Sequence, residues 1–268
     1  MLLTLDIGNT NICAGIFLPD KSGRRYLSQP EKFWRLSTNP RASADEYGTK
    51  ILDLFHYGLL DATSVKEIAI ASVVPKLDMV FRTMAENYFH RKPFFLTTQT
   101  LKGLTLKVDN PKEVGADRLA NALAAYTLFN KPTIIIDFGT ATTFDVVSKK
   151  GEYLGGLIFP GPLLSIRALA ENTAKLPEVN FVKPNLLIGK NTIAGIQSGI
   201  YFGYLGMLRE IINRLKKEIN NPLIVATGGS AVNFAGLKEI KKVIPELTLL
   251  GIKIALEKYS YPQVNNNL

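Results

Sequence analysis

Two stretches of this chain repeat one design, and that repetition restricts the possible folds more than any other feature. Leu2–Phe17 (LLTLDIGNTNICAGIF) opens with an apolar run, carries one aspartate, Asp6, and passes through Gly8, Asn9 and Thr10 into a second apolar run. Thr133–Val147 (TIIIDFGTATTFDVV) does the same with Asp137, Gly139, Thr140 and Thr142. Two apolar runs joined by four residues that include Gly and Asn read as a tight β-hairpin. The two aspartates are separated by about half the chain, so the repeat predicts two similar halves, each built on the same hairpin.

The chemistry of the repeat follows from its residue types. An aspartate at the tip of a buried strand is costly unless it has a partner. Gly8 admits a ligand close to the backbone, and Asn9 and Thr10 offer hydrogen bonds to it. This combination suits a phosphate or a hydrated cation; taken singly, either copy also reads as an ordinary polar turn. A third glycine-bearing turn, Thr227-Gly228-Gly229-Ser230, follows the strand expected at Pro222–Ala226. Two aspartate hairpins and a Gly-Gly turn suit a nucleotide. The hairpins would clasp its phosphates and a Mg²⁺ that keeps part of its water shell, and adenine would lie against bare backbone. A plain strand-to-helix turn is the other reading of Gly228-Gly229.

Several other chemistries are disfavoured. The net charge of +9 comes from scattered lysines and arginines with no aromatic-interleaved basic tract, which favours small anionic substrates over nucleic acid. The single cysteine, Cys13, allows no disulfide and no thiolate metal site within the chain. Both histidines, His56 and His90, fall in regions that read as helical, away from the glycine-rich turns. Gly189-Lys190 resembles a phosphate-loop ending, but Pro184 and Asn191 stand where that motif needs Gly and Ser or Thr. No G-x-G-x-x-G opens a helix. Asp6 interrupts the first apolar run too early for a signal peptide, and no stretch approaches the length of a membrane span; a cytoplasmic protein is expected.

Between the hairpins, short apolar strands alternate with amphipathic helices, which predicts mixed or parallel sheets covered by helices. Helices are expected at Ser43–Tyr57, Pro75–Phe89, Leu119–Phe129, Leu163–Asn172 and Thr192–Glu218, the last as one helix or as two broken near Gly206. Strands are expected at Phe33–Ser37, Glu67–Val74 and Pro93–Leu96. Pro19–Arg25 reads as a charged turn, Lys175–Lys190 as irregular, and the residues from Ser260 onward as a polar tail. The boundary between halves is placed around Leu119–Lys131, dividing the chain into 1–118 and 119–268. Asp117, in Gly115-Ala116-Asp117-Arg118, either caps the helix it precedes or serves as a general base for a substrate hydroxyl.

DIGNT, DFGTATT and TGG together resemble the acetate and sugar kinase/Hsp70/actin superfamily. The GADR, GGLIFPG, TAKLPEV and IGKNT segments are similar to type III pantothenate kinases, and the resemblance runs from Leu2 to about Leu256. It implies two actin-like (ribonuclease H-like) α/β domains facing a cleft and ATP-dependent phosphorylation of pantothenate, the first step of coenzyme A synthesis. It also implies a homodimer, Mg²⁺, and a monovalent cation, K⁺ or NH₄⁺. Carried over by position, Asp6, Ile7, Gly8, Asn9, Thr10, Asn11, Ile12 and Cys13 line the ATP phosphates, with Asp6 near Mg²⁺, and Thr140 contacts ATP. Gly115, Ala116, Asp117 and Arg118 hold pantothenate with Asp117 as proton acceptor, Thr192 touches pantothenate, and Asp137 binds the monovalent cation. Val108 departs from the family, which often has an aromatic residue there. That departure keeps a different hydroxy acid open as substrate. A non-catalytic regulatory relative is the reading from another class, and retention of Asp6, Asp117 and Asp137 weighs against it.

Overall fold

The computed structural model describes residues 1–21 and 25–260. The centre of the Pro19–Arg25 turn and the tail beyond Ser260 lie outside the described residues. Both hairpins form. β1 (Leu2–Ile7) and β2 (Asn11–Phe17) pair antiparallel, with Asp6 opposite Cys13 and Ile7 opposite Ile12. β3 (Lys32–Ser37) continues the meander, and β4 (Glu67–Ser72) lies parallel to β1, aligning Asp6 with Ala71. With the short β5 (Phe94–Phe95) the order is β3-β2-β1-β4-β5. Leu2, Leu3, Thr4 and Leu5 are all buried, so β1 has no polar face, as expected of a strand covered on both sides.

The covering helices begin where the sequence signals them. α1 (Ala44–Tyr57) opens with a reciprocal capping box. The Glu46 N–H donates to Ser43 Oγ at 3.2 Å, and the Ser43 N–H donates to Glu46 Oε2 at 2.8 Å. α2 (Pro75–Phe89) starts on Pro75, whose missing N–H costs nothing there, and stops at His90 in the left-handed region. Tyr47, Ile51 and Phe55 of α1 meet Leu77, Phe81 and Met84 of α2 in one apolar core with β1, β2 and β4.

A short β6 (Thr105–Leu106) precedes α3 (Ala116–Phe129). This helix and the last one, α6 (Leu247–Ser260), belong to the first half by packing. A Cβ at Gly251 would collide with the Ala120 carbonyl, so only glycine lets the two backbones touch there. The Thr248 hydroxyl donates to Asn121 Oδ1 at 2.9 Å in the same buried contact. The compact units are therefore Met1–Leu128 with α6, and Phe129–Glu246. The expected division after Arg118 falls inside α3, and the C-terminal helix returns to the first unit.

The second unit repeats the first. β7 (Thr133–Phe138) and β8 (Ala141–Val147) pair antiparallel, β9 (Glu152–Pro160) extends the meander, and β10 (Leu223–Thr227) runs parallel to β7, aligning Thr227 with Asp137. With β11 (Lys242–Val243) the order within this unit is β9-β8-β7-β10-β11, the same succession as β3-β2-β1-β4-β5. The glycine- and proline-rich stretch after Tyr153 is mostly strand. α4 (Pro162–Glu171) follows it, and 175–190 is irregular as expected. α5 (Thr192–Glu218) is one helix of 27 residues, uninterrupted at Gly206. Its buried Tyr201, Tyr204, Leu208, Ile212 and Leu215 recur every three or four residues and seal one face of the sheet. Two mixed sheets of identical succession, flanked by helices, make the α/β architecture of duplicated actin-like units.

Candidate active site

In the first unit the last pair of the hairpin is Ile7 with Ile12, which leaves four residues, Gly8 to Asn11, in the turn as expected. The Gly8 N–H donates to Asn11 O at 3.0 Å and closes the turn. Thr38, which the sequence did not single out, grips the turn from outside. Its hydroxyl donates to Gly8 O at 2.6 Å and its N–H to Thr10 O at 3.0 Å. Two carbonyl dipoles are thereby engaged, which lowers the repulsion an approaching phosphate meets. Ile7 and Ile12 are fully buried, so they anchor the hairpin and offer a ligand only main chain; Asn9 and Asn11 are exposed.

Asp117 sits in the first turn of α3, where its Oδ1 accepts the Arg118 N–H at 2.7 Å. Gly115 lies tight against it: a Cβ there would stand 2.5 Å from Asp117 Oδ1 and 3.3 Å from Val73 Cγ1. Val73 in turn donates its N–H to Ile7 O at 3.0 Å. Through Val73 the Gly115–Asp117 segment is joined to the end of β1 that carries the Gly8 turn. Burial pushes the Asp117 carboxyl above the usual aspartate range, and the Arg118 N–H and guanidinium oppose that shift in part. A raised carboxylate, held beside a glycine turn, is what a general base for an alcohol needs.

In the second unit Asp137 stands opposite Thr143 on β8 and beside Thr227 on β10. Gly228 takes φ +88, and a Cβ there would collide with Asp137 Oδ1 and lie 2.7 Å from Phe138 N. The Gly-Gly turn is thus seated on the aspartate hairpin, and the Ser230 N–H donates to Phe138 O at 3.3 Å. Thr140 is exposed at the hairpin tip. The Gly161 N–H donates to Thr140 O at 3.0 Å, which brings the start of α4 onto the same tip. A helix N-terminus carries partial positive charge. The only sequence trace of this arrangement is Pro160-Gly161-Pro162. Thr142 is fully buried and anchors the hairpin rather than facing a ligand. Thr192 is exposed in the first turn of α5, where Asn191 Oδ1 caps the helix by accepting the Ala194 N–H at 2.8 Å.

A second acid of this unit escaped the sequence reading. Asp145 is fully buried on β8, two residues from Thr143 and so on the same face as Asp137. It accepts the Tyr153 hydroxyl at 2.6 Å and the Thr143 hydroxyl at 3.2 Å. Among the described residues no three His, Cys, Asp or Glu side chains cluster to hold a metal ion. Asp6 and Asp137 are single carboxylates on glycine turns, a donor set that fits a cation completed by phosphate oxygens and water.

The family model described as type III pantothenate kinase matches residues 2–214. A type III pantothenate kinase of Endomicrobium trichonymphae is 45% identical over 260 residues, covering 96% of this chain and 99% of that protein. One from Koribacter versatilis (strain Ellin345) is 45% identical over 262 residues, with 96% of each chain covered. Among solved structures, a Campylobacter jejuni protein assigned to the Baf family of transcriptional activators matches with TM-score 0.59 at 18% identity, over 96% of this chain and 98% of that one. The ethanolamine utilization protein EutJ from Carboxydothermus hydrogenoformans matches with TM-score 0.54 at 14% identity, over 94% and 88%. At such identities these two are similar in fold alone.

Proposed function

The chain belongs to the type III pantothenate kinase family, and from that premise we propose that it transfers the terminal phosphoryl group of ATP to the hydroxyl of pantothenate. The product is 4'-phosphopantothenate, and the step opens coenzyme A synthesis. The observation that carries the catalytic assignment is Asp117: a half-buried carboxyl whose desolvation raises its pKa, tied through Gly115 and Val73 to the turn that follows Asp6.

Each residue has one task in this reading. Asp117 accepts the hydroxyl proton as the oxygen attacks. Gly115 and Ala116 shape the wall around the substrate, and Arg118 forms a forked pair with the pantothenate carboxylate. Thr192 contributes a further hydroxyl to pantothenate. Main-chain groups from Asp6 to Cys13 and the Thr140 hydroxyl hold the ATP phosphates. Asp6 reaches Mg²⁺ through water, and Asp137 takes a monovalent cation, K⁺ or NH₄⁺. When bound, these cations supply positive charge to the transferring phosphoryl group. Phosphoryl transfer asks for positioning and neutralisation more than for a protein nucleophile. The histidines and the Cys13 thiol are therefore not needed as nucleophiles.

A homodimer completes the proposal. Ile158, Phe159, Leu163, Leu186, Leu187 and Ile188 expose large apolar side chains on the second unit, with Ile188 80% exposed. Such a concentration is the usual mark of a protein interface.

Coupled detection of ADP release across a panel of hydroxy acids tests the reaction and the substrate together. Pantothenate is expected to give the highest kcat/KM. Turnover with another hydroxy acid and none with pantothenate would reassign the substrate, and no ADP release with any would leave the fold to a regulatory role.

A further inference from the structure

The first unit carries a second hollow at the far end of its sheet. In the parallel register of β1 and β4, Ser72 stands beside Ile7 at the glycine turn, while Glu67 stands beside Leu2 at the opposite end. The hollow at the Glu67 end measures about 490 Å³. Its floor is aromatic: Phe94 and Phe95 of β5, with Tyr259 of α6 lying 5.1 Å from Phe94 between ring centroids. Its rim is cationic: Lys66, Arg82 and Lys92.

The charges of that rim are not spent on protein partners. Among the described residues, none of these three cations forms an ion pair. Arg82 instead lies over the Phe95 ring, 5.0 Å from its centroid. The one acid in the lining, Glu67, already accepts the Tyr26 hydroxyl at 2.5 Å. A guanidinium over an aromatic face keeps N–H donors that the ring does not use and that an anion can accept. Three cations against the single lining carboxylate of Glu67, around two phenylalanines and a tyrosine, match a ligand that joins a flat apolar body to one anionic group.

We propose that this hollow binds small amphipathic anions, aromatic or branched-aliphatic carboxylates or phosphates, at a site separate from the one that holds ATP and pantothenate. The apolar body enters between Phe94, Phe95 and Tyr259, and the anionic group meets Arg82 with Lys66 and Lys92 beside it. Four residues of strand separate Leu2 from Asp6, roughly 13 Å at about 3.3 Å per residue. A ligand of this size in the hollow therefore leaves the glycine turn open.

The test is calorimetric titration of the full-length protein with naphthoate, repeated with saturating ATP and pantothenate. One binding event per chain is expected, unchanged by the substrates and weakened by added salt. Arg82→Gln and, separately, Lys92→Gln should each weaken it by about tenfold, the worth of one charge-assisted contact. Both variants should keep the wild-type melting temperature and kinase activity. Naphthyl methanol, the neutral counterpart, should bind at least about tenfold more weakly for the same reason. Absence of saturable binding, equal binding of the neutral probe, displacement by ATP or pantothenate, or indifference to both substitutions would each overturn the proposal.

Discussion

Asp117→Asn separates the chemical role of this side chain from its structural one. Asparagine keeps the shape and the Oδ1 acceptor, so the 2.7 Å bond from the Arg118 N–H and the close contact with Gly115 survive. Only the charge and the ability to take a proton are lost. A general base contributes about 10²- to 10⁴-fold to rate, so kcat should fall by that factor while ATP affinity stays within about twofold of wild type. Stability should move the other way. Burial raises the folded-state pKa of Asp117 above its value in the unfolded chain. Its contribution to stability is then fully present below the unfolded pKa and is lost as pH rises through the folded one. At neutral pH the wild type holds a desolvated charge that the variant lacks, so Asp117→Asn should melt higher there, and the difference should shrink as the solution is acidified. Wild-type turnover should fall as pH drops through the same raised pKa. Single-turnover phosphoryl transfer and thermal melts across pH read all of this from two proteins. Turnover within a few-fold of wild type would remove Asp117 as base, and a lower melting temperature at neutral pH would show that its charge is compensated rather than merely buried.

Three further perturbations probe the surrounding frame. Gly228→Ala forces a side chain onto φ +88 and against Asp137 and Phe138. It should cost about 2–4 kcal/mol in denaturant unfolding and depress activity more than its stability loss explains; a change under about 0.5 kcal/mol would mean the turn can rotate away. Tyr153→Phe removes the hydroxyl donated to the buried Asp145 at 2.6 Å and should cost about 1.5–3 kcal/mol, read from the shift in denaturation midpoint. Leu187→Asp with Ile188→Asp should turn the proposed homodimer into monomers by light scattering, and an unchanged mass would place the interface elsewhere.

What could be read from the sequence is what local pattern encodes. The runs Leu2–Leu5 and Thr133–Ile136 are mostly apolar because their strands are buried throughout, and the glycines that follow mark the turns. Ser43 with Glu46, and Pro75, mark helix starts by hydrogen-bond accounting alone. The division between units was not readable in the same way. The alanine-rich α3 follows the GADR segment and resembles the opening of a second half. What assigns it to the first is the backbone contact between Ala120 and Gly251, residues far apart in sequence. Thr38, Val73 and Gly161 were missed for the same reason: each acts through hydrogen bonds to a segment distant in sequence, and only Gly161, the end of GGLIFPG, lies in a motif. Asp145 lies within the second apolar run, and what makes its burial tolerable, the Thr143 hydroxyl and the Tyr153 hydroxyl across the β8–β9 ladder among its partners, shows only in the fold.

The two hairpins have also diverged within a shared frame, and the divergence bears on function. Ile7 pairs with Ile12 across the first turn, whereas Phe138 pairs with Thr142 across the second, which is one residue tighter. Asp6 faces a cysteine, and Asp137 faces Thr143, whose hydroxyl is held by Asp145. Where the first unit has Gly15 opposite Thr4, the second has Asp145 opposite Ile135. The first turn is gripped by a threonine and leaves exposed asparagines around its glycine. The second is gripped by a helix N-terminus and a Gly-Gly turn and is backed by a buried acid. A roomy polar turn suits the phosphates and a hydrated Mg²⁺. A tight turn with oxygen atoms at fixed positions suits a bare monovalent cation, which is selected by oxygen number and spacing. Duplication accounts for the common position of the two aspartates, and the residues around them account for the separate duties proposed for them.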